Sequence, residues 1–254
     1  MERMFHIDLK KLASTLLGEP VAPQTLPKYD AIERQFHIDE SALMERLATG
    51  KTDDEMKIAI QSALQSSCTV YVYSVDGAWT GSGFHVGAGQ IITAAHVCPS
   101  DLRQRPHKIE VTFDGATLYP ASIVKSDADS DAAILHCAAH LTNIPAMKLA
   151  NSDTAEIGDQ IAVVSSPEGW HDTATVGRVS NVHQSLGPGA PSQAWNDIIF
   201  IDAQILEGSS GGMVVNEDGQ VYGIVIGVTG KLAKLGIGEH SVCPSNKIAA
   251  LLSG

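Results

Sequence analysis

The sequence predicts an all-β domain led by a short helical segment, and three observations carry that prediction. From Thr69 onward, short apolar runs alternate with Gly, Asp, Asn and Pro turns, the pattern of strands. Before residue 67, apolar residues recur at helical spacing instead. An apolar fraction of 44% with mean hydropathy +0.03 suits a folded core rather than a disordered chain.

In order along the chain, Asp8 to Leu17 reads as a first helix, stopped at Gly18-Glu19-Pro20. A proline-bearing loop follows from Pro20 to Pro27. Asp39 is placed to cap a second helix, Glu40 to Leu47, which stops at Gly50. Thr52 or Asp53 opens a third, to about Gln65, with Met56, Ile60 and Leu64 on one face. Phe-His-Ile-Asp occurs at 5–8 and at 36–39, hinting at a duplicated helix start. These apolar faces are expected to pack on the β domain; docking or inhibition is the alternative. Ile91-Ile92-Thr93-Ala94-Ala95-His96 is an apolar strand running into a turn of small residues. Ala132-Ala133-Ile134-Leu135 is another strand, with Asp131 at its start. His183 to Pro191 lacks strand periodicity and reads as a surface loop.

The chemistry-bearing residues are His96, Asp131 and Ser210, in that chain order. A serine hydroxyl is a poor nucleophile near neutral pH and needs a base to take its proton. Histidine suits that task, and a carboxylate must hold the ring in the useful tautomer. Ser210 lies within Gly208-Ser209-Ser210-Gly211-Gly212. Glycines permit backbone conformations closed to other residues, so the amides of Gly208 and Ser210 can converge on a developing oxyanion. Asp127 and Asp129 compete locally with Asp131. Gly208-x-Ser210-x-Gly212 also matches the bare nucleophile-elbow pattern of an esterase, but there histidine comes last and the chain alternates strand and helix.

These residues resemble the protease domain of the HtrA/Deg branch of chymotrypsin-like serine proteases, over roughly Cys68 to Leu252. Gly81-Ser82-Gly83-Phe84 is similar to the strand before the catalytic histidine turn, and Asp127-x-x-x-Asp131-x-Ala-Ile-Leu to the aspartate segment, which favours Asp131. Leu149 to Asp153 with Ile157-Gly158-Asp159 resembles the inter-barrel link, Thr175 to Ser180 a strand of the second barrel, and Asn216 to Ile224 the hairpin after the serine. Gly236-Ile237-Gly238 with Pro244-Ser245-Asn246 is similar to the last strand and closing helix. The resemblance implies two six-stranded antiparallel β-barrels behind a helical extension of residues 1–67. The first barrel spans about 68–140, the second about 157–242, and a helix covers 245–252. It implies a serine endopeptidase with catalytic His96, Asp131 and Ser210, and an oxyanion hole of the Gly208, Ser209 and Ser210 amides.

By the same resemblance, Gln204, Ile205 and Leu206 with Ile226, Gly227 and Val228 line the primary specificity pocket. Gln204 puts no acid at its base and Val228 narrows its mouth, so cleavage is expected after Val, Ala or Leu rather than Arg or Lys. Ser209 stands where trypsin-type enzymes carry the aspartate that pairs with a freshly cut N-terminus, and no Ile-Val-Gly-Gly-like start lies near Cys68. Activity is therefore expected without that cleavage. A PDZ module after the barrels is not expected. A catalytically silent peptide-binding scaffold is the alternative.

A formal charge of −12 argues against nucleic acid or an anionic membrane as partner. No apolar run approaches the ~18 residues of a membrane span, and Met1 to Asp8 lacks the apolar core of a secretory signal, so a cytoplasmic protein is expected. The expected partner is a protein or peptide substrate, with residues 1–67 as a possible docking segment. Four cysteines without a Cys-x-x-Cys pair read as buried thiols, and no metal or other cofactor is expected. His136 and His140 stand at helical spacing, but follow a strand and lack nearby acids.

Overall fold

The structure, a computed structural model, describes residues 52–105, 107–138, 141–185, 196–232 and 237–254. Helix α1 (Thr52–Leu64) leads into β1 (Ser67–Ser74), β2 (Gly77–Gly87), β3 (Gln90–Ala94), β4 (His107–Thr112), β5 (Tyr119–Asp127) and β6 (Ala132–Cys137). These close into an antiparallel barrel in the order β1-β2-β3-β6-β5-β4. Strands β7 (Gln160–Ser165), β8 (Thr173–Gln184), β9 (Ile198–Ile201), β10 (Met213–Asn216), β11 (Val221–Leu232) and β12 (Ile237–Pro244) close a second, β10-β11-β12-β9-β8-β7, before helix α2 (Ser245–Ser253). Two closed six-stranded antiparallel barrels are the fold that the resemblance implied.

Successive side chains of a strand face opposite ways, and here both faces of the seam strands are covered. Ile91 and Leu135 fill the first barrel, whereas their neighbours Ile92 and Ile134 face a cluster shared between barrels. Val163 and Val225 fill the second barrel, while Val164 and Ile224 join that same cluster. This two-sided burial is why Ile91-Ile92 and Val163-Val164 run as apolar pairs instead of alternating with polar residues. The end of β3 meets the turn before β10, at Gly211, which is where the site lies.

Helix α1 packs on β7 and β10. Its buried stripe is Met56, Ala59 and Ala63, with Ile60 and Leu64 only partly buried. Met56 is buried as its place on the expected apolar face implies, and Ala59 and Ala63 are buried beside it, where small side chains allow close approach of the helix to the strands. The two earlier expected helices lie outside the described residues. His183 and Gln184 belong to β8, not to a loop: a register irregularity at Asn181–Gln184, with His183 at φ +54°, hides the strand period there. Residues 186–191 of that expected loop lie outside the described ones.

Candidate active site

His96 follows β3 in a turn whose other members are buried. Ala94, Ala95, Val97 and Cys98 are each no more than 4% exposed. The amides of Val97 and Cys98 both donate to the Ala94 carbonyl, and the Trp79 indole donates to that of Val97. With its neighbours pinned, His96 alone turns outward. Asp131 meets it twice: Oδ1 accepts from the His96 amide at 2.9 Å, and Oδ2 from ring Nδ1 at 2.8 Å. A carboxylate only accepts, so Nδ1 carries the hydrogen and Nε2 is left with its lone pair.

The geometry also sorts the aspartates. Asp127 turns inward on its own loop, accepting from the Ser130 hydroxyl at 2.7 Å and from the Ser130 and Asp129 amides at 3.2 Å. Asp129 is exposed. Asp131 adopts φ +52°, an unusual conformation for a residue with a Cβ, and its carbonyl accepts from the Ala95 amide at 3.0 Å. That bond extends the β3–β6 ladder by one step and aims the carboxylate at His96.

Ser210 lies in a turn between Glu207 and Gly211. Its carbonyl accepts from the Ser82 amide of β2 at 2.8 Å, and the Gly211 amide donates to the Val225 carbonyl at 2.8 Å. A Cβ on Gly211 would come within 2.7 Å of the Ala94 amide and 2.3 Å of the Ser82 carbonyl oxygen. The serine turn is thus seated against the strand end two residues before His96. The Ser210 hydroxyl itself makes no hydrogen bond in this structure, to His96 or to any other described residue.

One of the three amides expected to face an oxyanion is committed elsewhere. The Ser209 amide donates to the Leu206 carbonyl at 3.0 Å, and the Ser209 hydroxyl accepts from the Leu206 amide. That bond spends the Ser209 N–H inside the turn. The amides of Gly208 and Ser210 have no acceptor among the described residues, which leaves both N–H groups open.

Among the residues expected in the specificity pocket, Gln204 is exposed, with its carbonyl accepting from the Thr175 hydroxyl at 2.8 Å. Ile205 packs in the core of the second barrel, and Leu206 is exposed. Between Val225 and Gly227 the β11–β12 register shifts, and the extra residue, Ile226, lines a cleft of about 550 Å³. Ala95, His96, Pro99, Asp101 and Asp131 are among its other walls. The Val228 side chain lies outside the described ones. Sequence reasoning missed two contributors, Ser82 and Glu168, whose contacts with the serine turn are backbone-directed and long-range.

The four cysteines are free and buried. Burial pushes the thiols of Cys98 and Cys243 up to about 12, and that of Cys68 higher still. Among the described residues, no three His, Cys, Asp or Glu side chains are grouped so as to hold a metal ion. No described helix is long and apolar enough to cross a membrane.

Residues 81–224, more than half of the chain and with His96, Asp131 and Ser210 among them, match the family profile "Trypsin-like peptidase domain". The chain belongs to that family. It is similar to a probable periplasmic serine endoprotease, DegP-like, of Buchnera aphidicola subsp. Schizaphis graminum. The two are 34% identical over 145 residues, 56% of this chain and 30% of the relative. The periplasmic serine endoprotease DegP of Salmonella typhimurium is 32% identical over 177 residues, 68% of this chain and 35% of the relative. The chain thus spans about a third of the length of these relatives. Among solved structures, the HtrA-type protease AlgW with tripeptide superposes with a TM-score of 0.66 at 26% identity, covering 77% of this chain and 61% of that one. The names of the two relatives place them in the periplasm, so they lend no support to the cytoplasmic location expected above.

Proposed function

We propose that this trypsin-like peptidase domain is a serine endopeptidase acting through His96, Asp131 and Ser210. The observation that carries the reading is the double grip of the Asp131 carboxylate on His96, amide and ring together, beside the seated Ser210 turn. With Nδ1 held, Nε2 is the base that takes the Ser210 proton as the oxygen attacks a scissile carbonyl. The carbonyl oxygen, becoming negative, is met by the amides of Gly208 and Ser210; one such donor is worth roughly 2.7–4 kcal/mol. His96 then returns the proton to the leaving amine, and water activated by the same ring releases the acyl-enzyme.

The cleft wall at Ile226 and the absence of an acid at Gln204 support cleavage after small or medium aliphatic residues. The substrate class is protein or peptide. Limited processing of a partner protein is the proposed biological role, with residues 1–67 as its docking segment. Cell fractionation decides between the cytoplasm expected from the sequence and the periplasm named for the relatives.

Ser210→Ala abolishes peptide hydrolysis and labelling by a fluorophosphonate probe. The open Ser210–His96 contact favours one other reading, a catalytically silent peptide-binding scaffold. Failure of the unaltered protein to label or to cut any member of a peptide library would establish that reading instead.

A further inference from the structure

The serine turn is held from outside by groups that the catalytic mechanism does not use. Ser82, on β2 of the first barrel, is fully buried and touches that turn at two places. Its amide donates to the Ser210 carbonyl at 2.8 Å. Its hydroxyl donates to the Gly208 carbonyl at 2.7 Å, and accepts from the Ser166 amide at 2.8 Å. Thr93, on the strand that leads to His96, donates its hydroxyl to the Ser82 carbonyl at 2.7 Å. One residue thereby ties together the His96 strand, the serine turn and the hairpin between β7 and β8.

That hairpin completes the arrangement. Its 3-10 turn, Pro167–Gly169, carries Glu168 at φ +52° and ψ 21°, a left-handed conformation for an exposed residue with a Cβ. The conformation presents the Glu168 amide to the Glu207 carbonyl at 2.8 Å. In a trans peptide the carbonyl and the following N–H point in opposite directions. Holding the Glu207 carbonyl on the hairpin therefore turns the Gly208 N–H away from it, leaving that donor unpaired. The fit is tight: a Cβ on Gly208, at φ +87°, would stand 2.7 Å from the Glu168 amide nitrogen. Both peptide planes around Gly208 are thus fixed, the preceding one by Glu168 and the following one by Ser82.

We propose that Ser82 and the left-handed Glu168 form a latch that sets the orientation of the Gly208 amide, making them positioning residues for the oxyanion hole. The proposal rests on the serine-peptidase reading, and it adds a role for groups that touch neither substrate nor reacting atoms. A latch of this kind acts on the transition state more than on substrate binding, because the Gly208 donor strengthens only as the oxyanion forms.

The test compares the unaltered chain with Ser82→Ala and Glu168→Pro. Ser82→Ala removes the bridging hydroxyl; Glu168→Pro, on an exposed turn, removes the amide that holds the Glu207 carbonyl and forbids the positive φ. A peptide substrate and the matching peptide aldehyde, which mimics the tetrahedral state, are the probes. Both variants lose tenfold or more in kcat with KM nearly unchanged, and lose affinity for the aldehyde by the same factor as kcat/KM. Glu168→Gly, which keeps the N–H and relaxes the backbone, keeps the kcat of the unaltered chain. Unchanged kcat and aldehyde affinity in Ser82→Ala and Glu168→Pro would overturn the latch while leaving the peptidase reading standing. So would a loss confined to thermal stability, or a rise in KM alone. An unaltered chain that neither cuts peptide nor labels with fluorophosphonate would instead remove the reading beneath it.

Discussion

His96 and Ser210 come from opposite barrels, and different kinds of contact hold them. On the first barrel the lock is a side chain: the Asp131 carboxylate spans the His96 amide and ring at 2.9 and 2.8 Å. On the second, backbone groups dominate: the Ser210 carbonyl on the Ser82 amide, the Gly211 amide on the Val225 carbonyl, and the Glu207 carbonyl on the Glu168 amide. The division follows from what each half must do. A base needs a fixed tautomer and a fixed ring plane, which a carboxylate supplies. An oxyanion hole needs two N–H groups aimed at one point, so what must be held is the peptide planes that carry them. Substitutions should therefore act differently on the two halves, through charge and tautomer on one and through main-chain geometry on the other.

The largest effect is expected where the side-chain lock is broken. Asparagine tolerates positive φ at least as well as aspartate, so Asp131→Asn keeps the backbone at φ +52° while changing the acceptor. The amide favours the wrong imidazole tautomer, and kcat falls by on the order of 10⁴, as for this change in the general serine-protease scheme. Steady-state kinetics on a peptide substrate reads this directly, with circular dichroism showing an unaltered fold. A loss of less than tenfold would mean that Asp131 does not orient the base.

The contrast between the halves also explains what could be read from the chain. His96, Asp131 and Ser210 each carry a local signature, an apolar strand running into small residues, an aspartate opening a strand, a serine among glycines. The strand-rich pattern was equally plain, although barrel closure and strand number came through family resemblance. The choice of Asp131 over Asp127 also needed the resemblance; the structural reason is that Asp127 is consumed by Ser130 and Asp129. The latch stayed hidden because the partners of the Ser82 hydroxyl are 126 and 84 residues away along the chain. No local pattern records such contacts, beyond the glycines on either side of Ser82 that mark close backbone approach. The commitment of the Ser209 amide is hidden for a related reason, since a tight turn closes it onto the Leu206 carbonyl.

A smaller effect, of another kind, is expected on the backbone-held half. Gly211 sits at φ +84° with the Thr93 hydroxyl 2.4 Å from where a Cβ would be. Gly211→Ala must therefore strain the turn or push β2 and β3 aside, at a cost of about 1–3 kcal/mol. Thermal unfolding should show a lower Tm, with activity falling because the turn moves away from the His96 strand. An alanine variant with unchanged Tm and kcat would show that the seam has slack there, and would weaken the comparison drawn above.

The smallest effect concerns neither half, and so tests whether the site is separate from the cores that carry it. Cys98 lies two residues after His96, yet it is fully buried with its thiol pushed up to about 12 by desolvation. A raised folded-state pKa means that the neutral thiol is favoured in the fold, so its contribution is fully present below the ordinary value of 9.0 and is lost as the pH climbs from there towards 12. Cys243 behaves alike, and Cys68 shifts in the same direction. Iodoacetamide at pH 8 should leave the folded chain unmodified and still active, and modify the cysteines only in denaturant, while stability declines above about pH 9. Mass spectrometry before and after unfolding reads the first outcome. Rapid alkylation of Cys98 in the folded chain, with loss of activity, would mean that the histidine turn opens, and that the side-chain lock on His96 is looser than its two hydrogen bonds imply.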